Sequence, residues 1–174
     1  MKPSGLFIIF TGKGKGKTTA ALGTVIRSLG YQKKTSVIQF IKGKWNTGER
    51  QFLSRHLTQV DYHVMGAGFT WESDDPARDR TAAYQAWDTA AAKMTSGEYD
   101  LVVLDELTYV THYGWLDEEE ILEGLNRRHP DCHVLVTGRH APASWVEQAD
   151  LVSRIEVVKH PFEKGFKAVK GIDY

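Results

Sequence analysis

The chain has a single cysteine, Cys132, in 174 residues. That excludes an intramolecular disulfide and fits a reducing compartment. It also has no excess of charge: Lys plus Arg and Asp plus Glu both number 22. With no global basic field, the composition argues against a DNA or RNA partner. No run approaches the ~18 apolar residues of a membrane span. The opening "MKPSGLFIIF" is too short and too soon broken for a signal peptide. Internal repeats, low-complexity tracts and linkers are missing too. What is left is the composition of an ordinary globular protein, 41% apolar and 25% charged. The expectation is one cytoplasmic domain over residues 1–174, with neither nucleic-acid nor membrane partners, burying about two thirds of the surface its unfolded chain exposes.

Apolar runs bounded by turn residues recur: "GLFIIFT", "TSVIQFI", "VDYHVM", "DLVVLDE", "CHVLVTG" and "LVSRIEVV". Stretches of helix length separate them. "KTTAALGTVIRSLG" spaces Ala21, Val25 and Leu29 on one face and ends at Gly30, a candidate C-cap. "DPARDRTAAYQAWDTAAAKMTSG" opens near Pro76 and closes at Gly97, as a long helix should. "LDEEEILEGLNRR" carries acids early and arginines late, as the helix dipole favours. Strands alternating with helices predict an α/β fold, a mainly parallel sheet of about six strands with helices on both faces. "KGKWNTGER" (42–50) and "MGAGFTWESDDP" are expected as loops, the places where such sheets bind ligands.

"FTGKGKGKTT" alternates Gly12, Gly14 and Gly16 with Lys13, Lys15 and Lys17 between the first strand and the first helix. The usual P-loop spacing places a glycine where this chain has Thr11, so the strict pattern fails by one residue. The physics survives the mismatch. Glycines let successive N–H groups turn inward, and the helix starting near Lys17 adds its N-terminal dipole. Lys17 would reach phosphate oxygens and the Thr18 hydroxyl would bind Mg²⁺. A solvated basic turn is the plain alternative. Against it, "DLVVLDE" ends an apolar strand in Asp105-Glu106, the Walker B arrangement that brings a carboxylate to the metal. Adjacent acids after a strand can also merely cap a turn. Together the two elements predict a P-loop NTP-binding fold of the RecA-like kind.

Read in order, "TGKGKGKTTAALGTVIRSLG", "VIQFIKGKWNTGER", "VMGAGFTWE", "LVVLDELTY" and "VKHPFEKGFKAVKGIDY" resemble the ATP:corrinoid adenosyltransferases of cobalamin synthesis and salvage, also called cob(I)yrinic acid a,c-diamide adenosyltransferases. The resemblance runs from about Leu6 to Tyr174, and the family shares the shortened Gly-x-Gly-Lys-Gly-Lys-Thr-Thr loop. It implies a transferase in which Co(I) of a reduced corrinoid attacks the ribose 5′ carbon of ATP and triphosphate leaves. It further implies ATP reversed in the loop, a homodimer and an electron-donor protein such as a flavodoxin. By motif position, Gly12, Lys13, Gly14, Lys15, Gly16, Lys17, Thr18 and Thr19 would hold triphosphate. Thr18 and Glu106 would hold Mg²⁺, with Asp105 the weaker candidate; Lys17, Thr18 and Glu106 form the catalytic set. Phe69 and Trp71 of "GFTW" would lie on the corrinoid side, where bulky apolar groups exclude the axial base and ease reduction of Co(II). Core filling is the ordinary fate of such an aromatic pair.

Two other functions remain open on sequence: a kinase or ATPase cleaving at the γ-phosphate, and a non-catalytic nucleotide- or corrinoid-binding switch. Arg139, just past a strand end, is a candidate contact for ATP or a plain surface arginine. Lys42, Glu49 and Arg50 are candidates to position ribose or corrin side chains. None of the seven histidines belongs to a recognisable metal set. Asp117 to Glu120 reads as a solvated helix N-terminus, and Cys132 as a buried, inert thiol. Several family members carry an N-terminal extension over an active site; with five residues before the first strand here, either other loops close over the corrinoid or the pocket is more open.

Overall fold

The computed structural model describes residues 5–41, 47–56, 59–66 and 76–173. Lys42, Phe69 and Trp71 lie outside the described residues. Six strands form one sheet: β1 (Phe7–Thr11), β2 (Thr35–Gln39), β3 (Val60–Val64), β4 (Leu101–Asp105), β5 (His133–Thr137) and β6 (Leu151–Arg154). Their order is β3-β2-β4-β5-β1-β6, and every pairing is parallel. All six anticipated runs became strands. The last one stops at Arg154, short of Val158, because the chain then leaves the sheet to bond to the loop after β1.

Alternation along each strand sends side chains to opposite faces. Phe7, Ile9, Ile38, Val102, Leu104, Val134 and Val136 pack on one side. There they meet α3 (Pro76–Thr95), α4 (Leu107–His112), α5 (Glu118–Asn126) and α6 (Ala143–Gln148), through Ala86, Trp87, Val110, Leu125 and Trp145 among others. On the opposite side Val37, Leu101, Val103 and Leu135 meet Ala21, Leu22 and Val25 of α1 (Lys17–Gly30) and Leu53 of α2 (Gly48–His56). Central β2 and β4 are buried throughout, whereas edge β6 is exposed along its whole length.

Four details differ from expectation. Within the stretch expected as a loop, α2 already begins at Gly48, with the Thr47 hydroxyl accepting from the Arg50 N–H at 3.4 Å. The six-residue helices α4 and α6 were too short to leave a periodic pattern. Gly30 is the last helical residue rather than the cap; the left-handed turn falls at Gln32, φ 58°. In "LDEEEILEGLNRR" the acids and the Asp117 cap fall as anticipated, but Arg127 and Arg128 lie just beyond the last turn.

Candidate active site

The C-terminal ends of β1, β4 and β5 open onto a cleft of about 1100 Å³. Its floor is the segment between β1 and α1. Gly12 and Gly16 have φ of 100° and 114°, where other residues are strained. Gly14 is glycine for a different reason, close approach. A Cβ there would sit 2.8 Å from the Glu156 carbonyl oxygen. The chain past β6 lies against the loop: the Ile155 N–H donates to the Thr11 carbonyl at 2.8 Å and the Gly14 N–H to the Ile155 carbonyl at 2.7 Å.

Lys17 is nearly buried, and its ammonium donates to the Gly14 carbonyl at 2.6 Å. Burial first, then Arg139, holds its pKa below the ordinary lysine value, while Glu106 and Asp105 push the other way. Thr18, one turn-start later, donates its hydroxyl to Asp105 Oδ1 at 2.9 Å. That hydrogen bond joins the phosphate-loop helix to the end of β4.

Asp105 is 1% exposed and fully engaged. Besides Thr18, the Thr137 hydroxyl donates to its Oδ1 at 2.7 Å and Gln39 Nε2 donates to its Oδ2 at 2.8 Å. A buried carboxylate held by three donors cannot swing toward a ligand. Glu106 behaves differently: it lines the cleft and turns the chain from β4 into α4 at φ 65°, a conformation few non-glycine residues adopt. Its N–H donates to Thr137 Oγ1 at 2.9 Å, which locks that turn. The two acids therefore separate into a positioning group and a cleft-facing group.

Tyr109 of α4 and Arg139 line the same cleft. The opposite wall comes from the C-terminal segment, where Val157, His160, Phe162 and Ile172 approach Leu22 and Ile26 of α1. Lys15 pairs with Asp173 of that segment, and Asp173 Oδ2 also accepts the Val169 N–H at 2.7 Å.

A family model described as ATP:corrinoid adenosyltransferase BtuR/CobO/CobP matches residues 3–174. The chain is 45% identical over 170 residues to the corrinoid adenosyltransferase of Escherichia coli K12, covering 98% of this chain and 86% of that one. Its likeness to the corrinoid adenosyltransferase CobA of Salmonella typhimurium is also 45%, with the same coverage. The Pseudomonas aeruginosa enzyme is 44% identical, covering 98% and 84%. This chain belongs to the ATP:corrinoid adenosyltransferase family. Among solved structures, the genome-packaging NTPase B204 of Sulfolobus turreted icosahedral virus 2 in complex with AMP has a TM-score of 0.51 at 20% identity, covering 94% of this chain and 80% of that one. It supports the P-loop α/β fold alone.

Within this adenosyltransferase-family chain the structure brings together Lys13 to Thr19, Glu106, Arg139 and Glu49, all lining the cleft. Asp105 stands behind Thr18, and Arg50 is not among the lining residues. Of the histidines, His63 bonds Asp61 at 2.6 Å, His133 Nδ1 accepts the Leu6 N–H, and His160 accepts the Phe162 N–H. Cys132 is buried, and burial pushes its thiol up to about 11. Sequence reasoning missed Gln39 and Thr137. Their signal was a polar residue closing the apolar run of each strand that pairs with the one ending in Asp105.

Proposed function

We propose that the protein transfers the 5′-deoxyadenosyl group of ATP to the Co(I) of a reduced corrinoid, giving adenosylcobalamin or its precursor. Kinship over nearly the whole chain carries this reading. The cobalt lone pair attacks C5′, a cobalt–carbon bond forms, and the C5′–O bond breaks with its electron pair leaving on triphosphate. Co(I) is itself a strong nucleophile, so the protein needs no general base. Its task is to hold the leaving group and stabilise the charge that grows there.

Lys13, Lys15 and Lys17 line the cleft floor and, with backbone N–H groups of residues 13–19 other than that of Gly14, would take on that task. Lys17 would exchange its bond to the Gly14 carbonyl for a phosphate oxygen. Mg²⁺ fits the donor set. The Thr18 hydroxyl spends its hydrogen on Asp105 and keeps lone pairs to offer, and Glu106 adds a hard carboxylate oxygen. Thr18 and Glu106 would hold the ion, with Asp105 orienting Thr18. Bound there, it would neutralise charge on the polyphosphate. Arg139 would contact phosphate or ribose. Phe69 and Trp71 are assigned to the corrinoid side, ATP is assigned the reversed direction, and the whole of residues 1–174 is assigned to one domain.

An electron donor of the flavodoxin kind would make Co(I), which also favours the reducing cytoplasm as the compartment. A second copy of the chain is the proposed structural partner. Exposed Val158, Phe162 and Ile172 offer it apolar area. The deciding experiment is anaerobic incubation with Mg-ATP and chemically reduced cobalamin. Adenosylcobalamin with stoichiometric triphosphate is expected; ADP and orthophosphate with an unaltered corrinoid would overturn the reading.

A further inference from the structure

Beside the cleft stands a cluster that the reaction above does not use. The rings of His112, the last residue of α4, and His140, next after Arg139, stack with centroids 4.0 Å apart and planes 13° from parallel. Both are exposed. Tyr109, which lines the cleft, meets His140 edge-on at 6.3 Å, and Tyr113 leans on His112 at 5.3 Å. The charged side chains that act on His140 are basic. His140 feels burial first, then His112, Arg139 and Lys13, and each disfavours its protonated form. Among the described residues no carboxylate forms an ion pair with Lys13, Arg139, His112 or His140. Glu106 faces the region from the start of α4, acting on Tyr109 and Lys17.

Two stacked imidazoles beside an arginine and a lysine make a poor internal arrangement and a good receptor. An anion can accept N–H groups from both rings and offsets the surroundings that disfavour protonated His140. Resting on the reading that this cleft accepts a corrinoid, we propose that the stacked pair His112 and His140, set beside the ATP-facing Arg139 and Lys13, recognises anionic peripheral groups of that corrinoid, its carboxylates or its phosphodiester. The pair then sets preference between acidic and fully amidated corrinoids. The coupling has a definite sign. Without ligand, burial and then the neighbouring basic groups hold His140 below the ordinary imidazole value, and a bound anion would raise it. Binding therefore takes up a proton, and affinity for an acidic corrinoid grows as pH falls through the imidazole range.

The test is equilibrium binding, so it does not depend on turnover. Cobyrinic acid a,c-diamide, which keeps most of its carboxyls, is compared with cobinamide, whose side chains are amides. Wild type is set against H112Q/H140Q, in which hydrogen bonding remains but no charge can form. For wild type, preference for the acidic corrinoid should rise about three- to tenfold between about pH 8 and about pH 6. The double variant should lose that rise, with cobinamide binding and the Kd for Mg-ATP unchanged. His140→Ala, which breaks the stack at an exposed position, should behave likewise. An unaltered pH-dependent preference in both variants would overturn the proposal. So would a weakened Kd for Mg-ATP with the preference intact, since the rings would then serve the triphosphate. Adenosylation of cobinamide by the variants keeps the reaction assignment separate: it persists if only the histidine proposal fails.

Discussion

The floor and the wall of the cleft are held by different kinds of interaction. On the floor, Asp105 is buried and takes donors from three separate elements: Thr18 of α1, Gln39 of β2 and Thr137 of β5. The wall, residues 155–173, is exposed along most of its length. Two backbone hydrogen bonds and the Lys15–Asp173 pair tie it to the loop. A satisfied buried network fixes geometry before any ligand arrives. A strap of exposed pairs and single hydrogen bonds exchanges partners at small cost. Preorganisation thus belongs to the floor, and adjustment to the wall.

The strongest way to break this contrast is at its centre. Asp105→Ala leaves the Gln39 amide and the Thr137 hydroxyl buried without their acceptor, which costs about 2–4 kcal/mol. Denaturant unfolding should show that loss, and adenosylation should fall by about two orders of magnitude or more. Lys17→Ala separates chemistry from folding: the variant should fold yet lose ATP binding or turnover. Full activity would remove the phosphate loop from the mechanism.

Gly12→Ala attacks the junction of the two regions. Its Cβ would fall 2.3 Å from the Ile155 carbonyl oxygen, at φ 100°. Either the loop or the strap must move, at about 1–3 kcal/mol. Weaker Mg-ATP binding and faster proteolysis after Arg154 are expected together; weaker binding with the strap still protected would place the damage in the loop alone.

The same division governs how much could be read from the sequence. The inner strands β1, β2, β4 and β5 were legible because buried parallel strands require apolar runs, and the edge strands β3 and β6 because their shorter apolar runs are bounded by turn residues. The phosphate loop was legible because its glycines and lysines have few other uses. Asp105 and Glu106 could be seen as a pair, but their separate tasks could not, since the division arises from a left-handed turn at Glu106 and from two strand-end side chains distant in sequence. The wall was recognisable as a family stretch, "VKHPFEKGFKAVKGIDY", without its place beside the loop. Exposed side chains and irregular backbone leave no periodicity from which that place could be read. The stacked histidines were visible only as two residues among seven.

The mildest substitution, Asp173→Asn, sharpens the comparison most. Lys15 pairs with Asp173, and on the proposed reading it also meets the incoming triphosphate, so the wall would compete with the ligand for one of the floor's cations. The hydrogen bond from Lys15, and next the Val169 N–H, hold the Asp173 carboxyl below the usual carboxylate range. It therefore stays charged, and competes, at any assay pH in the neutral region. Asparagine keeps an acceptor for Val169 but surrenders the charge. The KM for Mg-ATP should fall about two- to threefold at low salt, and the difference should vanish at high salt as screening removes the rivalry. Stability should not change measurably. A rise in KM would mean that the pair holds the wall in place for the nucleotide, and the strap would then belong with the preorganised floor.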